Sequence, residues 1–127
     1  MEQLSSSYIS YNYYAKHLTT NGNGSLKLTC EGQWPEVKFA NTLTVDITGA
    51  SYICMDVYVP TIDEGGYVRI GINDANYQKI KTAGKWQTIK ISRKTTTLAG
   101  QKFNVSRSNG SSWVNVGTIY IGRIYMQ

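Results

Sequence analysis

Histidine is nearly absent: His17 is the single one in 127 residues. One imidazole with no metal-ligand pattern near it is an ordinary surface residue. It also leaves a serine or cysteine nucleophile without a supporting constellation, and no GxSxG elbow occurs. Cysteine is scarce too. Cys30 and Cys54 lack the CxxC spacing of a zinc or redox site, and they fall on opposite phases of their strands, so no disulfide is expected. No apolar run approaches the roughly 20 residues of a membrane span. The opening MEQLSSSYIS has neither the basic nor the apolar region of a signal peptide; the expectation is a module cut from a longer secreted protein, with Met1 as its initiator. Acids are outnumbered, 8 Asp and Glu against 13 Lys and Arg, for a net charge of +5. That excess favours anionic partners or solubility. The basic residues are dispersed and no RNP-like run is visible, so no nucleic acid is expected as partner. Glycoside hydrolysis needs two carboxylates at a defined separation. Asp46, Asp56, Asp63, Asp74, Glu31 and Glu36 are available, but no spacing singles out a pair, and no catalytic residue is assigned.

What the chain does have is polar aromatics. Ten Tyr and three Trp stand beside only two Phe. A core has no use for a ring hydroxyl, whereas a binding surface gains from a flat apolar face with a polar edge. Sugars offer the complement, a face of C–H groups rimmed by hydroxyls.

Alternation dominates the rest. SLKLTCE (25–31) sets Leu26, Leu28 and Cys30 on one face. EVKFA (36–40) does the same with Val37 and Phe39. SYICMDVYVP (51–60) turns Ile53, Met55, Val57 and Val59 inward, and Tyr52, Cys54, Asp56 and Tyr58 outward. GYVRIGIN (66–73) turns Val68, Ile70 and Ile72 inward, and Tyr67, Arg69 and Asn73 outward. WQTIKIS (86–92) contributes Ile89 and Ile91, and KFNVS (102–106) Phe103 and Val105. GTIYIGRIYM (117–126) alternates through Ile119 and Ile121, then shifts phase at Gly122-Arg123 to bury Ile124 and Met126, as at a bulge. Turn signals separate these runs: NGNG (21–24), DITG (46–49), DEGG (63–66), TAGK (82–85), LAG (98–100) and SNGSS (108–112). The opening YISYNYYAKHL (8–18) reads as an edge strand followed by a loop.

The pattern gives an all-β fold, a two-sheet antiparallel β-sandwich of the jelly-roll type, with eight or nine strands in a single domain over 1–127. A jelly-roll order assigns 25–31, 51–60, 86–92 and 117–126 to one sheet. It assigns 36–40, 66–73, 76–81 and 102–106 to the other. The outer face of the second sheet then carries Lys38, Tyr67, Arg69, Asn73, Tyr77, Lys79, Lys102 and Asn104. The outer face of the first carries Tyr52, Tyr58 and Tyr120, so two faces remain open as platforms. Trp113, in the polar stretch SNGSSWVN, is expected in an exposed loop, and Trp34, between Gly-Gln and Pro35, at a loop–strand junction.

In order and spacing, GQWPEVKF (32–39), YICMDVYVP (52–60), GKWQTIKIS (84–92) and VGTIYIGRIYM (116–126) resemble the non-catalytic carbohydrate-binding modules of bacterial plant-cell-wall-degrading enzymes. The resemblance implies a jelly-roll holding a glycan chain, with Trp34 stacking on sugar and Trp86 in a structural role. Many such modules hold a structural calcium with paired acids in the last strand; here Ile121-Gly122-Arg123-Ile124 puts a cation there, so no calcium or other cofactor is expected. The resulting expectation is a secreted, monomeric module tethered to a catalytic domain. Its ligand is a plant polysaccharide, a neutral β-1,4-linked glucan, xyloglucan or mannan ahead of acidic homogalacturonan. Trp34, Trp113, Tyr67, Arg69, Asn73, Tyr77, Lys102 and Asn104 are the candidate contacts. A protein-adhesion sandwich and a single-strand nucleic-acid binder are the competing readings.

Overall fold

The alternating runs are rich in Val, Ile, Tyr and Thr, which fit a pleated surface packed on one side, and each pairs as a strand. A computed structural model describes residues 4–6, 9–14, 25–30, 32–39, 49–93 and 100–127, with side chains at 27–30, 32–36, 49–93, 100–122 and 124–127. His17, Glu31, Asp46 and the 21–24 turn lie outside the described residues, as do the side chains of Leu26, Val37, Lys38, Phe39 and Arg123. The strands are β1 (Leu4–Ser6), β2 (Ile9–Tyr14), β3 (Ser25–Cys30), β4 (Glu36–Phe39), β5 (Tyr52–Tyr58), β6 (Tyr67–Ile72), β7 (Ala75–Ile80), β8 (Trp86–Ser92), β9 (Lys102–Ser108), β10 (Trp113–Val114) and β11 (Gly117–Met126). No helix occurs among the described residues.

Two antiparallel sheets form the sandwich. Sheet A runs β1-β4-β9-β6-β7 with β10 also on β9, and sheet B runs β2-β3-β11-β5-β8. The division of the long runs between the two sheets is the one the jelly-roll order predicts. The strand number exceeds the eight or nine expected because Leu4–Ser6 and Trp113–Val114 are too short to show a period. They are strands only by pairing with β4 and β9. The opening run is an edge strand, β2, paired with β3. The phase shift in β11 is a register break between Ile121 and Ile124 against β5.

The inward phases meet between the sheets. Leu28, Ile53, Met55, Val57, Val68, Ile70, Ile72, Ile91, Phe103, Val105, Ile119 and Ile121 are all buried, and Ile80 and Val116 join them. Each such side chain contributes about 1.5–3 kcal/mol of transfer free energy. Arg107 follows Phe103 and Val105 in phase and is 8% exposed. Its Nε donates to the Val116 carbonyl at 2.8 Å and its Nη1 to the Thr61 carbonyl at 2.7 Å, so this cation ties two loops across one end of the sandwich.

Cys30 lies in the core and Cys54, though on the outward phase, is buried as well. Both are free thiols. Cys54 is covered because the chain end folds over it: Gln127 pairs with the Tyr52 backbone, and its Oε1 lies 3.8 Å from Cys54 Sγ. Burial pushes the Cys30 thiol up from its ordinary 9.0 to about 12, with the nearby Arg107 charge opposing only partly. The unfolded chain therefore releases this proton near pH 9 while the folded chain holds it. The thiol's contribution to stability is full below pH 9 and is lost as pH rises towards about 12. The folded protein should resist iodoacetamide at pH 8 and react fully in denaturant; rapid Cys30 labelling of the native protein would contradict its burial.

Candidate functional site

The outward face of sheet A is ordered by register into rows. Tyr67, Ser108 and Trp113 form one, through β6, β9 and β10. Lys79, Arg69 and Ser106 form the next, through β7, β6 and β9. Gly71, Asn104 and Glu36 form a third. Along one edge of β9, β4 pairs with 102–104, the Pro35 carbonyl accepts from Val105 N–H at 3.1 Å, and β10 pairs with 107–108. Trp34, next to Pro35, is thereby delivered beside Trp113.

These rings and cations touch. The Trp34 and Trp113 centroids are 5.5 Å apart at 56°, and Tyr67 meets Trp113 edge-on at 6.0 Å. The Arg69 guanidinium lies between two rings, 3.9 Å from the Tyr77 centroid and 4.3 Å from that of Trp113. Its Nε donates to Ser106 Oγ at 3.3 Å. Lys79 Nζ sits 4.4 Å over the Tyr67 ring. Such contacts contribute about 0.5–1 kcal/mol each at exposed sites. Trp34 is the open end of the group, 55% exposed.

Local backbone chemistry places Tyr77. Asn73 and Asp74 take φ of 47° and 59°, the doubly positive turn that suits Asn and Asp in a two-residue hairpin. Asn76, at φ 55°, is the extra residue of a bulge between Ile70 and Ile72 of the partner strand. The bulge lets Ala75 and Gln78 both oppose inward residues and leaves Tyr77 facing out. Its ring lies on Gly71, where a Cβ would come within 2.7 Å of the ring and of the Ala75 carbonyl oxygen. Burial raises the Tyr77 phenol pKa, and Asp74, accepting from the hydroxyl at 3.2 Å, raises it further, with Arg69 opposing.

Of the residues expected from sequence, Trp34, Trp113, Tyr67, Arg69 and Tyr77 come together here. Trp113 is not in a free loop: it is half-buried in β10, because pairing with β9 brings it over Arg69. Asn73, Lys102 and Asn104 do not join this ring cluster and lie around the β6–β7 turn. Asn73 lies in the turn, not in the strand; its Nδ2 donates to Gln101 Oε1 and its Oδ1 accepts from Lys102 N–H at 3.0 Å. Asn104 accepts from Asp74 N–H at 2.8 Å and donates to Glu36, whose carboxylate pairs with Lys102 at 3.3 Å. Lys79, expected on this outer face but not among the candidate contacts, belongs to the cluster, and so does Ser106, which sequence reasoning missed. The outward parity of Ser106 with Asn104 was the signal that could have found it.

Sheet B offers the other aromatic group. Tyr58 and Trp86 centroids lie 5.6 Å apart and Tyr58 and Tyr120 6.0 Å. All three rings are half-buried and pack on one another, tilted or edge-on. Trp86 thus lies on the outer face, packed on Tyr58, and not in the core, since Ile89 and Ile91 take the inward phase of β8. Its removal should cost about 1–3 kcal/mol. Among the described residues no group of three or more His, Cys, Asp and Glu could hold a metal, and no helix is long and apolar enough to cross a membrane.

No protein family's sequence pattern and no curated protein matches the chain. Solved structures do match in fold. A xylan-binding domain, CBM22-1 of Xyn10C from Paenibacillus barcinonensis, superposes with a TM-score of 0.59 at 11% identity, over 97% of this chain and 83% of that one. An exo-β-agarase gives 0.59 at 12%, over all of this chain but 23% of its own. A structure of carbohydrate-binding modules from the β-sandwich superfamily, described as promiscuous in specificity, gives 0.55 at 13%, over 98% and 56%.

Proposed function

We propose that this β-sandwich, which shares its fold with carbohydrate-binding modules, is itself a non-catalytic polysaccharide-binding module acting through the outer face of sheet A. The observation that carries the reading is Trp34. A ring this exposed, backed by Trp113 and bordered by Arg69, Tyr67 and Tyr77, presents a flat apolar surface beside hydrogen-bond donors. The backbone that suits it is an extended β-1,4-linked chain of the glucan, xyloglucan or mannan type, whose sugars each turn a C–H face to a ring. The likeness to part of a larger agarase supports a module tethered to an enzyme and secreted with it, raising the enzyme's effective concentration at its substrate.

Affinity electrophoresis through gels containing a panel of plant polysaccharides tests this. Retardation by at least one is expected. Migration unchanged by every glycan, or retardation by single-stranded DNA alone, would overturn the reading.

A further inference from the structure

We infer that the ligand of this face bears repeated acid groups, carboxylate or sulfate, which Arg69 and Lys79 recognise. The inference rests on the glycan reading above and reverses the order of neutral and acidic ligands expected from the sequence.

Arg69 and Lys79 are direct cross-strand partners on adjacent strands. Like charges in that position destabilise a sheet. Neither has an ion-pair partner: among the described residues no carboxylate lies at ion-pair distance from either, Asp74 reaching only the Tyr77 hydroxyl, while Glu36, on the same sheet, is engaged by Lys102. A sheet needing only solubility has no reason to set two uncompensated cations side by side.

The two charges are also held. Arg69 is clamped between Tyr77 and Trp113 and oriented by Ser106. That uses one of its five N–H donors, and the four on the Nη atoms have no protein acceptor among the described residues. A planar fork fixed in this way matches a carboxylate or sulfate edge bidentately. Lys79 adds a second point charge over Tyr67. These cations moreover occupy the faces of Tyr67 and Tyr77, so sugar stacking falls to Trp34, and the remaining ligand contacts available on the face are ionic. One ring and two fixed cations describe a site for a chain that is apolar on one side and acidic at intervals.

One backbone with three substituents isolates the charge. Hydroxyethyl cellulose, carboxymethyl cellulose and cellulose sulfate share the β-1,4-glucan chain and differ in being neutral, carboxylated or sulfated. At low salt we expect strong retardation by one or both anionic polymers and at least about tenfold weaker binding to the neutral one. Raising ionic strength from about 0.05 M to about 0.5 M should remove most of that difference, since exposed charges are then screened within a few ångströms. Lys79→Gln, on an exposed edge-strand position, should lower anionic affinity severalfold, and by more than it lowers binding to the neutral polymer. Arg69→Gln should lower it further, and Arg69→Lys should restore only part. The carboxylated and sulfated arms distinguish the acid. Equal, salt-independent retardation by neutral and anionic polymers, or unchanged anionic binding in Lys79→Gln, overturns the acidic ligand and leaves the glycan module standing. Failure of all three polymers and of the wider panel overturns both.

Discussion

Trp34→Ala should weaken binding to any retarding polysaccharide about ten- to hundredfold, with the thermal midpoint nearly unchanged. Stacking one ring on a sugar buries apolar area worth about 1–3 kcal/mol, and each 1.4 kcal/mol is about tenfold in affinity. The side chain is 55% exposed, so its loss opens no cavity, and substitutions away from buried features change stability by roughly 0.5 kcal/mol or less. Trp113→Ala should not separate the two effects. Its ring supports Trp34, Tyr67 and Arg69 together, so binding and stability should fall in parallel. Titration by retardation at several polysaccharide concentrations, with calorimetric melting of the same samples, reads both. Full binding by Trp34→Ala would place the ligand elsewhere, with the Tyr58–Trp86–Tyr120 group of sheet B as the next surface to alter.

Phe103→Ala should cost about 3–5 kcal/mol and lower the melting midpoint by roughly 10–20 °C. Phe103 is wholly buried in β9, the central strand of sheet A, with Val37 and Ile72 as its register partners. The strand holds Ser106, Asn104 and the pairing partners of Trp113, so glycan binding should fail where the domain melts and not before. Urea denaturation with a linear slope check measures the loss. A cost below about 1 kcal/mol would mean that the sheets close over the vacated volume, contrary to the dense packing expected of a sandwich interior.

Period-two alternation is local, and it told which runs are strands and which residues face the core; the jelly-roll order then told how the long runs divide between the sheets. Leu28, Ile53, Met55, Ile70, Phe103 and Ile121 could be read as core because one face of each strand must leave water. The bulge at Gly122-Arg123 was legible because a phase shift is visible in the chain itself. Trp34, bounded by Gly-Gln and Pro35, announced its junction for the same reason.

What covers an outward residue depends on register between strands far apart in the chain, and alternation carries no record of it. Tertiary structure alone decided that Cys54 is buried under Gln127, that Trp113 is a strand residue over Arg69, and that Asn73, Asn104 and Lys102 brace a turn. It also decided that Arg107 closes the sandwich end and that Arg69 and Lys79 stand opposite each other with no carboxylate at ion-pair distance among the described residues. Sequence fixes the side of the sheet a residue takes because the pleat repeats every two residues. Its neighbours there are set by hydrogen-bonded pairing across as many as 95 positions, as between Leu26 and Ile121, and that pairing exists only in the folded chain.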